Sequence, residues 1–301
     1  MTSQKYEAFL KTARTGSFKQ TAQEMGYTQA GISYLISALE KEFGIALFER
    51  EHGGVRLTSE GESILPWVSD VCAGERRLEA HLSDLKHVEA GSLHLVAFTS
   101  TLTQWVPQIT RRFAEAHPNI DLRITCYDDQ LQLEGVIERG EADLGFVALP
   151  VKRPLALTML VRDPLLVAVA PDHPLAHGAF FPAKALGTEP YIKLDSGEYS
   201  EMDRLFRVNK AQPHVRFSIV SDYAAMGMVS AGLGYGVLSG LVLRNAPFNL
   251  VALPAEVPAH REIALAQRAN ATPSHAASAF ATCAKEWIAD AYANDPEALL
   301  L

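Results

Sequence analysis

The first sixty residues place apolar side chains at helical spacing in three consecutive segments. The first predicted helix ends at Gly16, where Ser17 can cap a second helix over residues 18–25. Thr28 can cap a third helix, and the apolar stripe of this helix consists of Ile32, Leu35, Ile36, Leu39 and Phe43. Two helices joined by about three residues with a glycine form a helix-turn-helix.

The face opposite this stripe carries neutral hydrogen-bonding groups near the start of the third helix. Gln29, Ser33 and Tyr34 stand where a helix-turn-helix contacts base edges in the major groove. No acidic residue occurs from Thr28 to Leu39. The pattern favours DNA binding, and a three-helix protein-interaction module with a polar face is the alternative that the spacing leaves open.

A wing is predicted directly after these helices. Arg50 and Arg56 bracket a His52-Gly53-Gly54 turn, which is typical of two short antiparallel strands. Arginines in this position are suited to contact phosphates or the minor groove of DNA.

Residues 59–88 predict one long helix, with Pro66 tolerated in its first turns. Its apolar residues recur at alternating spacings of four and three, with one polar interruption at Glu75. This heptad pattern predicts a helix that pairs two chains; a long amphipathic helix packed on its own domain is the alternative. The predicted dimerisation residues are Ile64, Val68, Val71, Leu78, Leu82 and Leu85.

After Glu89-Ala90-Gly91 the pattern changes to alternating strands and helices, which is typical of an α/β domain with largely parallel sheets. The predicted strands cover residues 93–98, 121–126, 143–149, 165–170, 191–194, 217–220, 235–238, 250–253 and 263–267. The predicted helices cover residues 102–117, 131–140, 202–210, 224–231 and 276–293.

The uncharged stretch 223–243 is 21 residues long, enough to cross a bilayer as a helix. Five glycines interrupt it, so we interpret it as a helix, a tight turn and a buried strand of the α/β domain, with no membrane span. The glycines from Gly232 to Gly236 follow a predicted helix and precede a strand, which is the reverse of the dinucleotide-binding order.

The charge of the chain limits how it can bind nucleic acid. The 301 residues include 27 Lys and Arg against 35 Asp and Glu, a formal net charge of −8. This balance argues against a protein that coats nucleic acid regardless of sequence. Residues 1–62 hold seven basic and eight acidic residues and contribute −1, so residues 63–301 contribute −7.

Several chemistries are not expected. Cys72, Cys126 and Cys283 are far apart and predict neither a disulfide framework nor a metal or redox pair, which fits a reducing, cytoplasmic setting. The first residues lack the apolar segment of a secretory signal. No metalloprotease, phosphate-loop or serine-hydrolase motif occurs, so we expect no enzyme, no metal and no cofactor.

The amino-terminal segment resembles the winged helix-turn-helix of LysR-type transcriptional regulators. The resemblance spans most of residues 3–61 and rests on Gly16-Ser17-Phe18, Ala22, Thr28-Gln29, Ile32-Ser33, Ile36, Leu39-Glu40, Phe43-Gly44, Leu47-Phe48, Arg50, Val55, Leu57-Thr58 and Gly61. In two places the chain departs from the family pattern. Ala30-Gly31 replace a proline or serine followed by alanine, and Gly53 replaces a common wing arginine, whose phosphate contact passes to Arg56 or is weakened.

The resemblance implies which residues contact DNA and which partners the chain has. Thr28, Gln29, Ser33 and Tyr34 are expected to face the groove, and Ser17, Arg50 and Thr58 to touch the DNA backbone. The implied partners are double-stranded promoter DNA with a pseudo-palindromic site, a small-molecule effector, a second copy in a homodimer or a tetramer of two dimers, and RNA polymerase.

The resemblance further implies an effector domain of the two-lobed, periplasmic-binding-protein-like type, with its ligand in the cleft at the carboxyl ends of strands. A hydroxyl-rich helix start and a nearby lysine favour an anionic ligand; a helix cap alone, or side chains that are merely solvated, are the alternatives. The predicted effector-binding residues are Ser100, Thr101, Ala148, Leu149, Lys193, Asp195, Tyr199, Asp222 and Tyr223.

The expected fold class is therefore α+β multidomain. A winged helix-turn-helix covers residues 1–62, a linker helix 63–90 and an effector domain 91–301, with lobe I at 91–161 and 266–301 and lobe II at 162–265. The expected function is a LysR-type DNA-binding transcriptional regulator controlled by a small anionic effector. The alternative is a cytosolic solute-binding protein whose amino-terminal helices only oligomerise.

Overall fold

The structure is a computed structural model that describes residues 4–51, 53–85, 91–195, 202–295 and 298–300. Two units can be distinguished within it. The first contains Met1–Gly91 with the short segment Arg139–Glu141, and the second contains Ser92–Glu138 and Ala142–Leu301.

The first unit has the predicted winged helix-turn-helix. Its elements are α1 Gln4–Thr15, α2 Phe18–Met25, α3 Gln29–Phe43, β1 Phe48–Glu51, β2 Gly54–Leu57 and α4 Ser59–Leu85. Both predicted caps are present, at Ser17 for α2 and at Thr28 for α3. Gly26 and Gly44 end these helices in the left-handed conformation that glycine adopts most easily.

The wing is tied to the turn between α1 and α2. Strands β1 and β2 are antiparallel, with Arg50 opposite Val55. The Val55 N–H donates to the Gly16 carbonyl at 2.8 Å, and a Cβ at Gly54 would lie 2.4 Å from that same oxygen. Only glycine therefore fits position 54, and the close approach fixes where the wing stands relative to α2.

The predicted pairing seam on α4 divides into two parts. Ile64 and Val68 pack into the core of the helix-turn-helix with Phe9 and Leu39, and Val68 is only 4% exposed. The prediction that Val68 lies in a dimer interface is wrong, because α1 and the wing already cover this end of α4. Val71, Leu78 and Leu82 are exposed, and the side chain of Leu85 lies outside the described residues.

The second unit alternates strands and helices as predicted. Its strands are β3 Gly91–Ala97, β4 Ile120–Cys126, β5 Leu144–Ala148, β6 Leu155–Val169, β7 Pro190–Leu194, β8 His214–Ile219, β9 Tyr235–Ser239, β10 Val251–Leu253 and β11 Ala259–Arg268. Its helices are α5 Thr99–Gln104, α6 Val106–Ala116, α7 Gln130–Glu138, α8 Ala183–Thr188, α9 Asp203–Val208, α10 Asp222–Ser230, α11 Gly240–Leu243 and α12 His275–Ala291.

Some elements differ from the prediction. The helix expected over 102–117 is two helices that meet at Trp105, with Pro107 in the first turn of the second. Strand β6 begins ten residues before the predicted 165, and α8 and α11 were not expected. The stretch 223–243 forms α10, a turn, β9 and α11. Among the described residues, no helix has the length and apolarity that a bilayer span requires.

Within the described residues the strands form one nine-stranded sheet in the order β4-β3-β5-β11-β6-β9-β7-β8, with β10 beside β6. Parallel pairs occur inside each half, between β3 and β5 and between β7 and its neighbours β8 and β9. The middle of the sheet is antiparallel, because the long strands β6 and β11 pair along ten residues. The expectation of largely parallel sheets is therefore wrong at the junction of the lobes.

Each lobe packs helices on both faces of its strands. In lobe I, α6 and α12 cover one face around Phe113 and Phe280, and α7 covers the other. In lobe II, α8 and α9 lie on one face and α10 on the other. Ile263, Ala264 and Leu265 belong to the lobe I clusters, so the return to lobe I occurs three residues earlier than the expected boundary at 266.

A buried ion pair lies where β6 and β11 cross between the lobes. Arg261 and Asp163 are register partners, their Nε and Oδ2 atoms are 2.8 Å apart, and their side chains are 5% and 3% exposed. Asp163 also accepts from the Leu241 N–H, and Arg261 donates to the Ser100 hydroxyl. The pair therefore connects both crossing strands with the first turns of α5 and α11.

Replacing Asp163 with asparagine is expected to destabilise the second unit by about 3 kcal/mol or more, because a buried guanidinium loses its counter-charge. The matched control is Glu286→Gln, which removes one of the two exposed carboxylate partners of Arg112 and is expected to cost less than about 1 kcal/mol. Urea unfolding followed by circular dichroism measures both free energies. Equal, small losses in the two variants would contradict this prediction.

Candidate functional site

The exposed face of α3 carries the side chains predicted to read DNA. Gln29 and Tyr34 are exposed, the latter 74%, and Ser33 is half-buried one turn after Gln29. Residues four apart lie on the same side of a helix, so Gln29 and Ser33 present neighbouring hydrogen-bonding groups. Ile32, Ile36 and Leu39 hold the opposite face of α3 in the core.

Three of the predicted DNA-contacting residues, Ser17, Thr28 and Thr58, cap helices with their hydroxyl groups. The Ser17 Oγ accepts from the Gln20 N–H at 3.3 Å, and the Thr28 Oγ1 accepts from the Gly31 N–H at 3.1 Å. The Thr58 Oγ1 accepts from the Gly61 N–H and donates its own proton to the Ala46 carbonyl at 2.7 Å. Thr58 therefore has no proton left to donate to a phosphate, in contrast to the expectation for this residue.

The two wing arginines differ in their surroundings. The Arg56 guanidinium donates to Glu49 at 2.9 Å and lies 3.3 Å from a carboxylate oxygen of Glu51. The hydrogen bond to Glu49 raises the pKa of Arg56 above its usual value. Arg50 is exposed, and the described part of the chain gives it no ion-pair partner. Both wing arginines are exposed, Arg56 by 65%, but in the described part of the chain only Arg56 is paired with carboxylates.

A cavity of about 700 Å³ opens between the lobes of the second unit, a size that holds a small organic molecule. Lobe I lines it at the carboxyl ends of β3, β4 and β5, and lobe II lines it at the ends of β7 and β8 and the start of α10. Its described lining consists of Phe98, Thr99, Ser100, Tyr127, Asp128, Asp129, Gln130, Ala148, Leu194, Asp195, Met202, Val220, Ser221, Asp222, Tyr223, Val242 and Arg261.

Five of the nine predicted effector residues line this cavity, namely Ser100, Ala148, Asp195, Asp222 and Tyr223.

Three others are placed elsewhere, and one falls outside the described residues. Thr101 is fully buried and donates to the Phe98 carbonyl, because its side chain points back into the first turn of α5. Leu149 packs in the cluster under α7, and Lys193 is absent from the described lining. Tyr199 belongs to the segment 196–201, which lies outside the described residues.

The residues missed by the sequence analysis include Asp128, Asp129 and Gln130, which directly follow β4. Their position at the carboxyl end of a predicted strand was a usable signal. Gln130 is held by the Ala148 backbone, donating to its carbonyl at 2.8 Å. Arg261 offered no such signal, because its partner Asp163 is 98 residues away in the chain.

The helix start predicted to bind an anion already holds one. The Thr99 N–H and the Thr99 hydroxyl each donate to one carboxylate oxygen of Asp128 at 2.8 Å. The Ser100 hydroxyl accepts from Arg261. The protein's own carboxylate thus occupies the position at α5 that was expected for the effector.

The three cysteines do not resemble reactive thiolates. Burial raises the pKa of the thiols of Cys72, Cys126 and Cys283 above the usual value. Cys126 lies near the cavity, with its Sγ 3.4 Å from the Thr99 hydroxyl oxygen. A raised pKa keeps the thiol protonated and lowers its nucleophilicity.

A winged helix-turn-helix in one unit and a two-lobed domain around a cavity in the other define a DNA-binding regulator with a ligand-binding domain. The family model described as "LysR substrate binding domain" matches residues 86–289, more than half of the chain. The model of bacterial regulatory helix-turn-helix proteins of the lysR family matches residues 3–62. The chain belongs to the LysR family, which consists of transcriptional regulators and not of enzymes, and a free solute-binding protein is not favoured.

Individual relatives agree with this assignment over nearly the whole chain. The chain is 28% identical to the HTH-type transcriptional regulator YvbU of Bacillus subtilis, over 95% of this chain and 98% of the relative. A variant of full-length OxyR from Pseudomonas aeruginosa has the same fold, with a TM-score of 0.71, 22% identity, and coverage of 96% of this chain and 95% of OxyR. The regulator CbnR complexed with its target DNA gives a TM-score of 0.66 at 19% identity, covering 95% of this chain and all of CbnR.

Proposed function

We propose that the chain binds promoter DNA as a dimer through α3, and that a small molecule in the cavity of the second unit changes these DNA contacts. The observation that carries the proposal is the acid-free first part of α3, Gln29 to Leu39, with Gln29 and Ser33 one turn apart on its outer side. An amide and a hydroxyl can each donate to and accept from base edges in the major groove. The related regulator CbnR, whose structure was determined in complex with its target DNA, supports the same mode of action.

The contacts to the DNA backbone are few in this proposal. Arg50 is the wing arginine without an ion-pair partner among the described residues, and Ser17 retains a hydroxyl proton that can be donated to a phosphate. Arg56 would have to leave Glu49 and Glu51 before it could bind a phosphate. Sequence-independent affinity is therefore modest, since that affinity grows with the number of phosphates neutralised.

The linker helix α4 supplies the dimer contact. Trp67, Val71, Leu78 and Leu82 are exposed apolar residues at spacings of four, seven and four, which places them along one side of α4. A stripe of large apolar side chains on an exposed helix is stabilised by burial against a second helix. A twofold dimer presents two copies of α3 to a pseudo-palindromic site. A tetramer of two dimers and contact with RNA polymerase belong to the same proposal, in the cytoplasm where the promoter is.

The cavity can influence the dimer only through the lobes that enclose it. Strands β6 and β11 join the lobes, and residues from both lobes line the cavity. A ligand shifts the protein towards one lobe arrangement by the difference between its affinities for the two arrangements.

Alanine at Gln29 or at Ser33 is expected to weaken binding to the specific site by about tenfold to a hundredfold, since a good base contact contributes about 1–3 kcal/mol of discrimination. Fluorescence anisotropy with DNA from upstream of the chain's own gene measures the affinity, and light scattering reports the dimer. The control is Gln108→Ala, at an exposed glutamine on α6. Loss of the dimer in the α3 variants would show that this face is misassigned.

Arg50→Ala and Arg56→Ala are expected to differ. Removing Arg50 should weaken DNA binding and lower the slope of log affinity against log salt concentration by about one, because one phosphate contact is lost. Removing Arg56 should leave that slope unchanged, because its guanidinium is engaged by Glu49 and Glu51. A salt titration of both variants tests the assignment, and the reverse order would refute it.

Leu78→Asp and Leu82→Asp are each expected to raise the dimer dissociation constant at least about a hundredfold, since each buried leucine contributes about 2 kcal/mol and occurs twice in a twofold dimer. The matched control is Leu233→Asp, a leucine of similar exposure in the turn before β9. Sedimentation equilibrium measures the constants. A control as disruptive as the α4 variants would mean that the dimer contact lies elsewhere.

A further inference from the structure

We propose that the effector is a small organic cation, an amine with an apolar or aromatic body, and not the anion that the sequence favours. This inference rests on the proposed function, because it concerns the ligand of the same cavity. The first observation concerns the start of α5, which the sequence analysis expected to bind an anion. There the N–H and the hydroxyl of Thr99 both donate to the carboxylate of Asp128. An effector carboxylate would have to displace a carboxylate that the protein itself supplies.

The second observation is the charge of the described lining. Four carboxylates, of Asp128, Asp129, Asp195 and Asp222, face one guanidinium, that of Arg261, so the formal charge is −3. Arg261 is also ion-paired with Asp163 behind the cavity wall, which adds a further negative charge nearby. The sum does not depend on which carboxylate the guanidinium contacts. A cavity of this sign attracts a cation and repels an anion.

The hydrogen bonds of Asp128 and Asp129 orient these carboxylates without neutralising them. Asp128 accepts from the neutral donors of Thr99, and Asp129 accepts from the backbone N–H groups of Leu131 and Gln132. Both carboxylates are therefore held in place by uncharged donors. Fixed charges lose little entropy when a ligand binds, which favours affinity for a complementary ion.

The apolar part of the lining fits the rest of such a molecule. Tyr127 and Tyr223 contribute aromatic rings, and the Tyr223 ring stands edge-on against Phe248 with centroids 4.7 Å apart. Phe98 is already covered by the Arg261 guanidinium, 4.9 Å from its ring centroid, which shows that a cation is accommodated against an aromatic face at this site. The remaining rings can receive an ammonium group or an apolar body.

The carboxylates come from both sides of the cleft, and this links ligand charge to lobe movement. Asp128 and Asp129 belong to lobe I, whereas Asp195 and Asp222 belong to lobe II. Like charges oppose a closer approach of the lobes in the empty domain. A cation between them removes that opposition, so it binds the closer arrangement more tightly and shifts the population towards it.

The test uses the full-length dimer and three sets of probes that share a body and differ in charge. The cations are 2-phenylethylamine, butylamine and 1,5-diaminopentane, and each is compared with its neutral alcohol and its carboxylate at equal ionic strength. At about 10 mM, a probe with a millimolar dissociation constant is close to saturation. We expect at least one amine to raise the melting temperature more than its alcohol, and the carboxylates to raise it least.

Two variants connect the effect to the cavity. Asp195→Asn and Asp222→Asn each remove one carboxylate, and each is expected to weaken binding of the active amine about tenfold, measured by calorimetry. The matched control, Asp172→Asn, removes an exposed carboxylate outside the described lining and should leave amine binding unchanged. Circular dichroism confirms that the variants fold.

Three results would overturn the inference: no shift with any amine, a carboxylate shift as large as that of its amine, or an amine affinity unchanged in both lining variants. DNA binding of the same protein is measured in parallel, so that the two proposals fail separately. Retained DNA binding with a preference for carboxylates refutes the cationic effector alone. Absence of DNA binding to its own upstream sequence refutes the proposed function.

Discussion

The second unit depends on the contact between Arg261 and Asp163. The two strands that join the lobes, β6 and β11, are paired with each other at these residues. A buried guanidinium is tolerated only when a carboxylate and further acceptors surround it, and β6 and β11 bring these two residues opposite each other. Ser100 at the start of α5 and the Leu241 N–H at the start of α11 complete the arrangement. This charge pair thus connects the two long strands, the starts of both helices and one wall of the cavity.

The same contact determines what the cavity offers to a ligand. Because Arg261 is committed to Asp163 and lies over Phe98, the described lining has no further arginine or lysine, while four aspartates remain around it. Asp128 in turn occupies the helix start that a carboxylate ligand would use. The proposed cationic effector departs from the anion preference expected from a lysine and a hydroxyl-rich loop, because Lys193 is not part of the described lining and both donors of Thr99 are already bound by Asp128.

Local patterns predicted local structure well. The bounds of α2 and α3 agree with the sequence analysis, because each helix has a capping hydroxyl, an apolar stripe and a left-handed glycine close together in the chain. The sequence analysis missed features that depend on contacts between residues far apart in the chain. The first half of β6 is stabilised by pairing with β11 about a hundred residues later, and no local periodicity marks it. Val68 satisfies the heptad pattern equally well, and only the packing of α4 on its own helix-turn-helix shows that it faces inward.

In the first unit, too, the positions of the charged residues matter more than their sum. Residues 1–62 carry a formal charge of only −1, yet Glu49 and Glu51 of the wing are paired with Arg56, and α3 has no acid from Gln29 to Leu39. Pairing inside the wing lowers the number of cations available to phosphates, so tight binding cannot come from charge alone. In the proposed mode of binding, neutral groups on α3 supply sequence discrimination, and two copies of α3 act together to supply affinity. The exposed apolar stripe on α4 is the surface proposed to pair the two copies, so we expect DNA recognition by this chain to depend on dimerisation more than it would in a basic helix-turn-helix.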